Sequence, residues 1–500
     1  MRQLVAELDR RAAVAPDDVV AIDAEGPHGL ADLLRRGAGL AGEIETRTGR
    51  RPTLMVQADN SWRTLVAAVA VGRLDGTLAL LSRHTTCEEF AAACEDVDPD
   101  AVLLAPDIAH AIAPDIAHDT ATRSDAAVLD GWRLTARPAR PPERWRGGAV
   151  IGLTSGSTGR AKGVVQTEAA LRYAGRATID AVGLRPGDTV AALVPLSSAA
   201  AVCFGLYLPL MLGGRVLLLD RWDPQVAVDL MAAHDARWTM CVPTMALQMG
   251  AAARHGGELA ALTAMTVGGG PMDAGALGRA EERLGTRILR VFGMSECLGH
   301  TTSRPDDDPV TRLATDGTPF PGTELRAVDE TGAPAAVGVT GRAEVRGPSL
   351  FLGYARAGEV VPPDLTPDGF LPTGDLVEIA PDGTASIRGR EKDIIIRGGR
   401  NIDVTEVESA VARHPHVDQV CVVPVPDDVL GERVAALLVT SRDDLDLPEL
   451  QRHLGDLGLT KGKWPEFAFR VDGLPQNRVG KLSRADAARL ALRLRDQVSA

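Results

Sequence analysis

Lysine is nearly absent. Of the 54 basic side chains only Lys162, Lys392, Lys461, Lys463 and Lys481 are lysine, and the rest are arginine. Together with a scarcity of tyrosine, this reads as composition bias of the coding sequence. Lysine is a compact, mobile point charge and arginine a rigid planar fork. Where arginine is the default cation, each remaining lysine is a position to question. Cysteine is sparse as well. Cys87, Cys94, Cys203, Cys241, Cys297 and Cys421 are scattered, with no C-x-x-C pair. This excludes a structural zinc site or a disulfide framework and makes free thiols in a reducing cytoplasm the expectation. The ten histidines have no metal-ligand spacing. His110 and His118 pair only because APDIAH occurs twice, at 105–110 and 113–118, which reads as a surface duplication without chemistry. No apolar run reaches 18 residues, so no membrane helix is expected. Residues 1–18 are charged and lack an apolar signal core. Cationic excess is missing too: the net charge of −13 opposes broad docking on nucleic acid or an anionic membrane. No segment carries a serine suited to a phosphopantetheine arm, so no fused carrier domain is expected.

What remains is an ordinary globular balance of 45% hydrophobic and 24% charged residues, which excludes disorder as the main theme. A chain of 500 residues suggests two to four domains. Helical and strand-like patterns alternate up to about residue 300, as in the helices 30–47 and 61–74 and the strand 52–57. Such alternation argues for a layered α/β domain. Past about residue 315 Pro and Gly become dense, and short β-like pieces lie between Asp-Gly turns, giving a small β-rich subdomain at about 315–388. From about 394 a βαβ-like texture returns, so a boundary is expected near 390–394.

The strongest local signal is LTSGSTGRAKGVV at 153–165. An apolar strand runs into Thr154, Ser155, Gly156, Ser157, Thr158 and Gly159, and Lys162-Gly163 follows. Small residues let backbone N–H groups approach an anion, hydroxyls add donors, and lysine adds a mobile charge. The pattern suits a polyphosphate; taken alone it is equally a flexible Gly/Ser turn. It is not a Walker loop, because Lys162 precedes Gly163 and no Gly-Lys-Ser/Thr is present. Further motifs follow in order: Gly268-Gly269-Gly270-Pro271, Phe292-Gly293-Met294-Ser295-Glu296, Thr373-Gly374-Asp375 and Gly389-Arg390-Glu391-Lys392-Asp393. After them come Gly398-Gly399-Arg400-Asn401-Ile402 with Glu406, and Pro475 leading to Gly480-Lys481. This ordered set, spanning about 50–485, resembles the adenylate-forming enzymes: acyl-CoA synthetases, stand-alone adenylation domains and beetle luciferase.

The resemblance implies an α/β fold with a large N-terminal AMP-binding domain (1–392), whose β-rich part forms a distorted barrel, and a small mobile α+β domain (393–500). It implies ATP, Mg²⁺ and coenzyme A as reactants and cofactors, and a small carboxylic acid as substrate. The acid would attack the α-phosphate of ATP, and a thiol would then take the acyl group while AMP leaves. Lys481 would bridge the carboxylate and the α-phosphate, Ser295 would bond that phosphate, and Glu296 would hold Mg²⁺. Gly268, Gly269 and Gly270 would contact adenine and Phe292, followed by Gly293, would stack on it. Asp375 and Arg390 would take the ribose. Asp393 would be the hinge, and Gly398 and Gly399 would line a pantetheine tunnel. Without the resemblance, Asp375 reads as a turn-capping aspartate and Gly398-Gly399 as a plain bulge.

Several positions depart from the family pattern. Acyl-CoA synthetases usually carry P-x-F-H before the acyl pocket, whereas Pro195-Leu196 is followed by Ser197, Ser198, Ala199, Ala200 and Ala201. No aspartate stands between Val190 and Leu219, which disfavours an α-amino acid substrate. Small side chains with Val202, Cys203, Phe204, Met245 and Leu298 suggest a wide apolar pocket for a bulky acid; tight helix packing is the other reading. The hinge pattern N-I-x-P reads Asn401-Ile402-Asp403-Val404, and Arg342 replaces a usual Glu. The leading expectation is a cytoplasmic acid–CoA ligase. A stand-alone enzyme loading a carrier protein, a variant performing only thioester transfer, and a non-catalytic acyl-AMP binder are the alternatives.

Overall fold

Strands buried on both faces are rich in apolar residues, and five such strands build the first sheet. Thr189–Ala192, Val216–Leu218, Ala236–Cys241, Ala264–Gly268 and Ile288–Met294 pair in parallel. Cys297–Thr302 and Thr318–Pro319 continue one edge antiparallel. Val19–Asp23 and Gly26–Gly29 complete the nine strands at the other. A second nine-stranded sheet is centred on Thr53–Gln57, Thr77–Leu81 and Gly148–Thr154, all parallel. Helices between the sheets are buried nearly all round, as in Trp62–Leu74, which Ser61 caps by accepting from the Arg63 N–H. Leu54, Val66, Val190 and Trp238 belong to one continuous core spanning both sheets. This computed structural model describes residues 1–112, 124–154, 161–270, 272–391, 393–427, 429–477 and 480–499.

The stretch expected as a barrel is open. Glu324–Val328, Gly341–Arg346, Leu371–Ile379 and Ala385–Arg390 form a four-stranded antiparallel sheet, and among the described residues no barrel closes. Gly353–Arg356 leaves this group and pairs instead with Lys162–Thr167 in the second sheet. Gly163 makes room there, since a Cβ at that position would stand 2.9 Å from the Ala355 Cβ. The open sheet is tied to the first by a buried ion pair. Arg290 meets both oxygens of Asp316 at 3.0 and 3.1 Å, and the Ile387 N–H donates to Asp316 at 2.8 Å.

Ala385–Arg390 ends the third sheet and Ile394–Arg397 begins a fourth. The fourth orders Arg400–Asp403, Ile394–Arg397, Gly431–Val439 and Gln419–Asp427, with Phe467–Arg470 added parallel to Gly431–Val439. One face packs on Val404, Val407, Leu450 and Leu454 of two helices. The other packs on Ala487 and Ala491 of the helix Arg484–Ser499. Among the described residues no helix is long and apolar enough to cross a membrane. Cys203, Cys241, Cys297 and Cys421 are buried, Cys94 is half-buried and Cys87 is exposed. Burial pushes the Cys241 and Cys421 thiols up to about 12 and that of Cys297 to about 11.

Candidate active site

The carboxyl ends of Ala264–Gly268 and Ile288–Met294 open onto one cleft, the usual ligand position in an open α/β sheet. Four of the sequence motifs meet there with the Lys481 loop. Asn477 and Lys481 close a tight return: the Lys481 N–H donates to Asn477 Oδ1 at 3.0 Å and the Asn477 N–H donates to the Lys481 carbonyl at 2.7 Å. Thr244 fastens this return to the large part of the chain, its hydroxyl donating to the Gly480 carbonyl at 2.8 Å. The Lys481 side chain stands beside Gly269, which has φ +83°; a Cβ there would lie 2.7 Å from Nζ. Gly269 is thus required both by its backbone and by the passage of the lysine. Lys481 is exposed within the cleft yet hemmed in by protein. Crowding by protein lowers its pKa, the Arg390 charge lowers it further, and Glu296 opposes both.

Glu296 follows the strand Ile288–Met294. The Tyr354 hydroxyl donates to its Oε1 at 3.0 Å, and the Lys162 ammonium lies 5.2 Å from the centre of the Tyr354 ring. Burial, then Glu296, hold the Tyr354 pKa up, so it remains a donor. Gln166 donates to the Ser295 carbonyl at 2.8 Å and fixes the turn that carries Ser295 and Glu296. Phe292 meets His300 edge to face, with centroids 4.7 Å apart. His300 is fully buried, neither ring nitrogen has a partner among the described residues, and burial depresses its pKa to about 3. It is therefore neutral at any physiological pH.

Asp375 and Arg390 face each other across paired strands, and Arg390 Nε donates to Asp375 Oδ1 at 2.8 Å. Asp375 Oδ2 is buried without a partner among the described residues. Burial raises the Asp375 pKa against the pull of Arg390. A buried, unpaired carboxylate oxygen fits hydroxyl donors such as those of a ribose.

Other expected positions are distributed. Ser155, Gly156, Ser157, Thr158 and Gly159 lie outside the described residues, as do Lys392 and the second APDIAH copy. Residues 155–159 stand in the sequence between Thr154 and Lys162, which pair across the two strands. Gly398 and Gly399, with φ +57° and +78°, turn the Ile394–Arg397/Arg400–Asp403 hairpin at the surface. Asp393 lies just before that hairpin. Of the apolar set, Ser198 caps the short helix Ala199–Val202 by accepting from the Ala201 N–H. Ala199 packs against Gly152, where a Cβ would lie 2.7 Å from it. Val202 and Leu298 are core residues, and Cys203 points its thiol at the Leu171 carbonyl. Phe204 lines a small cavity with Ala201, Val194 and Met240. Met245 touches the Gly480 position. Tyr354, Gln166, Thr244 and His300 were missed by sequence reasoning, and only the rarity of tyrosine pointed to the first.

The AMP-binding enzyme profile matches residues 8–355, and the AMP-binding enzyme C-terminal domain profile matches residues 406–481. The chain belongs to the AMP-binding enzyme family. This AMP-binding enzyme is 32% identical to a salicylyl-CoA synthase / salicylate adenylyltransferase from Streptomyces sp, over 99% of its own length and 94% of that protein's. It is 35% identical to triostin synthetase I of Streptomyces triostinicus over 346 residues, 69% of this chain and 65% of the relative. Among solved structures it superposes on ATP-bound MatB from Rhodopseudomonas palustris with a TM-score of 0.85 at 27% identity, covering 98% of this chain and 99% of that one. Against apo MatB the TM-score is 0.74 over 98% of this chain and 99% of that one. The chain therefore superposes better on the ATP-bound MatB structure than on the apo one. It is an adenylate-forming enzyme of the acyl-CoA synthetase-like superfamily.

Proposed function

We propose that the protein is an acid–CoA ligase that activates a bulky aromatic carboxylic acid as its acyl-adenylate and transfers the acyl group to coenzyme A. The observation that carries this reading is Lys481 standing beside Gly269 in the same cleft as Glu296, Arg390 and Asp375. The acid carboxylate and ATP are both anions, and catalysis at phosphorus is mostly positioning and charge stabilisation. Lys481, a point charge with rotatable donors, suits two anions that change geometry as the carboxylate oxygen bonds the α-phosphorus and pyrophosphate leaves. Asp375 Oδ2 would accept from the ribose, with Arg390 fixing its partner oxygen. Phe292 would stack on adenine above the glycines 268–270.

Glu296 fits a Mg²⁺ site: it offers a single carboxylate held in place by Tyr354, and Mg²⁺ takes its other ligands from phosphates and water. When bound, that ion neutralises phosphate charge. Asp393 would be the pivot on which residues 393–500 turn against 1–392, withdrawing Lys481 and bringing Gly398-Gly399 to the cleft for the thiol. An aromatic acid is favoured by the full-length relation to the salicylyl-CoA synthase. That relative is a salicylate adenylyltransferase as well, which favours a second reading in which the adenylate passes to an acceptor other than coenzyme A, here a carrier-protein thiol. Mass spectrometry of products from ATP, a carboxylic acid library and either coenzyme A or a phosphopantetheinylated carrier tests both. Aryl-CoA is the expected product. Acetyl- and propionyl-CoA as the best products would reject the bulky-acid reading, and acylation of the carrier alone would reject coenzyme A.

A further inference from the structure

Arg484 opens the helix Arg484–Ser499 three residues after Lys481. Its guanidinium is held on three sides. Nη1 and Nη2 clamp Glu408 at 2.6 and 2.8 Å, Nη1 also reaches the Val422 carbonyl at 3.1 Å, and Nε lies 3.1 Å from Asp393 Oδ2. Glu408 is itself buried and accepts from the Val422 N–H at 2.8 Å. The Asp393 N–H donates to the Arg390 carbonyl at 3.1 Å, and the Asp393 carbonyl accepts from the Val404 N–H at 3.2 Å. A continuous path of contacts therefore runs from Asp375 through Arg390, Asp393 and Arg484 back to the Lys481 return. Both ends of that path stand in the cleft.

We propose that Arg484 is a positioning residue that couples the backbone at Asp393 to the placement of Lys481. Its ion pair with Asp393 holds the arrangement in which the lysine is in the cleft, and it opens when the small part turns. This rests on the reading of Asp393 as the pivot. The rigid fork of arginine matters here, because one planar group must satisfy Glu408 and Asp393 at once.

The test measures two half-reactions separately: pyrophosphate exchange for adenylation, and thioester formation from a supplied acyl-adenylate. Asp393→Asn keeps the side-chain shape and leaves the Arg484–Glu408 clamp intact. It should slow adenylation about tenfold, within the usual coupling range, while thioester formation stays unchanged or rises. Arg484→Met should shift the same ratio, and the double variant should shift it no further than Arg484→Met alone. Thermal unfolding monitors loss of the Glu408 partner, which cannot by itself change the ratio of the two halves. Equal losses in both halves, or an unchanged ratio in Asp393→Asn, would overturn the coupling. Asp393→Pro tests the pivot separately. Normal thioester formation in that variant rejects the pivot itself, whereas blocked thioester formation with an unaltered ratio in Asp393→Asn rejects only the role of Arg484.

Discussion

Single side chains set the charge balance of the cleft. Lys481→Ala should cut adenylate formation about 10²–10³-fold, the usual loss for one charge-stabilising donor, while sparing transfer from a supplied acyl-adenylate; equal losses in both would remove Lys481 from its assigned place. The lowered Lys481 pKa gives this step a pH signature. With the ammonium as the proposed active form, adenylation should fall on the alkaline side, and the fall should begin at lower pH than an ordinary lysine would give. Arg390 contributes to the lowering, so Arg390→Gln should move that alkaline limb upward whatever it does to the maximal rate. Gly269→Ala places a methyl where the lysine passes. It should reproduce the Lys481→Ala defect with only about 1 kcal/mol of lost stability from the positive φ, measurable by pyrophosphate exchange beside a melting curve. Tyr354→Phe removes a hydrogen bond to a charged group, worth about 1.5–3 kcal/mol. The expected outcome is a rise of roughly tenfold or more in the KM for Mg·ATP with the melting temperature little changed.

Larger pieces were legible to different degrees. The helix expected at 30–47 forms as Leu30–Thr48 and the strand at 52–57 as Thr53–Gln57, because an apolar period is local information. The stretch 315–388 was legible as β-rich, but its sheets were not. Whether Gly353–Arg356 pairs with its sequence neighbours or with Lys162–Thr167 depends on space at Gly163, nearly 200 residues away. The same limit applies at the site. Motif order singled out Lys481, Glu296 and Asp375 as candidates, while the contacts of Thr244 and Gln166 are fixed only by tertiary structure. The run Ser198–Ala201 shows how composition leaves a choice open: Ala199 spends its small size on Gly152. The Arg290–Asp316 pair, joining the first and third sheets, is an element-scale feature without a local signal. Removing Arg290 as Arg290→Met orphans a buried carboxylate and should destabilise the chain by about 3–5 kcal/mol in denaturant titration.

At the scale of the whole molecule, the small part is poised over the large one with Lys481 inserted. The Thr244 hydroxyl on the Gly480 carbonyl is one bond that fastens it there. Thr244→Val should therefore weaken adenylation more than thioester formation, and small-angle scattering of the ligand-free protein should report a larger radius of gyration. An unchanged radius and unchanged half-reaction rates would show that this bond does not hold the arrangement. The scattered cysteines acquire a meaning at this scale too. A protein with the proposed transfer to an outside thiol would face the hazard of trading disulfides with it, and only a thiolate attacks in that exchange. With four thiols sealed in cores and held protonated, that hazard is confined to Cys87 and Cys94. Both sit on the helix Cys87–Val97 against the second sheet, so a disulfide formed there with the acceptor would leave the catalytic cleft chemically untouched.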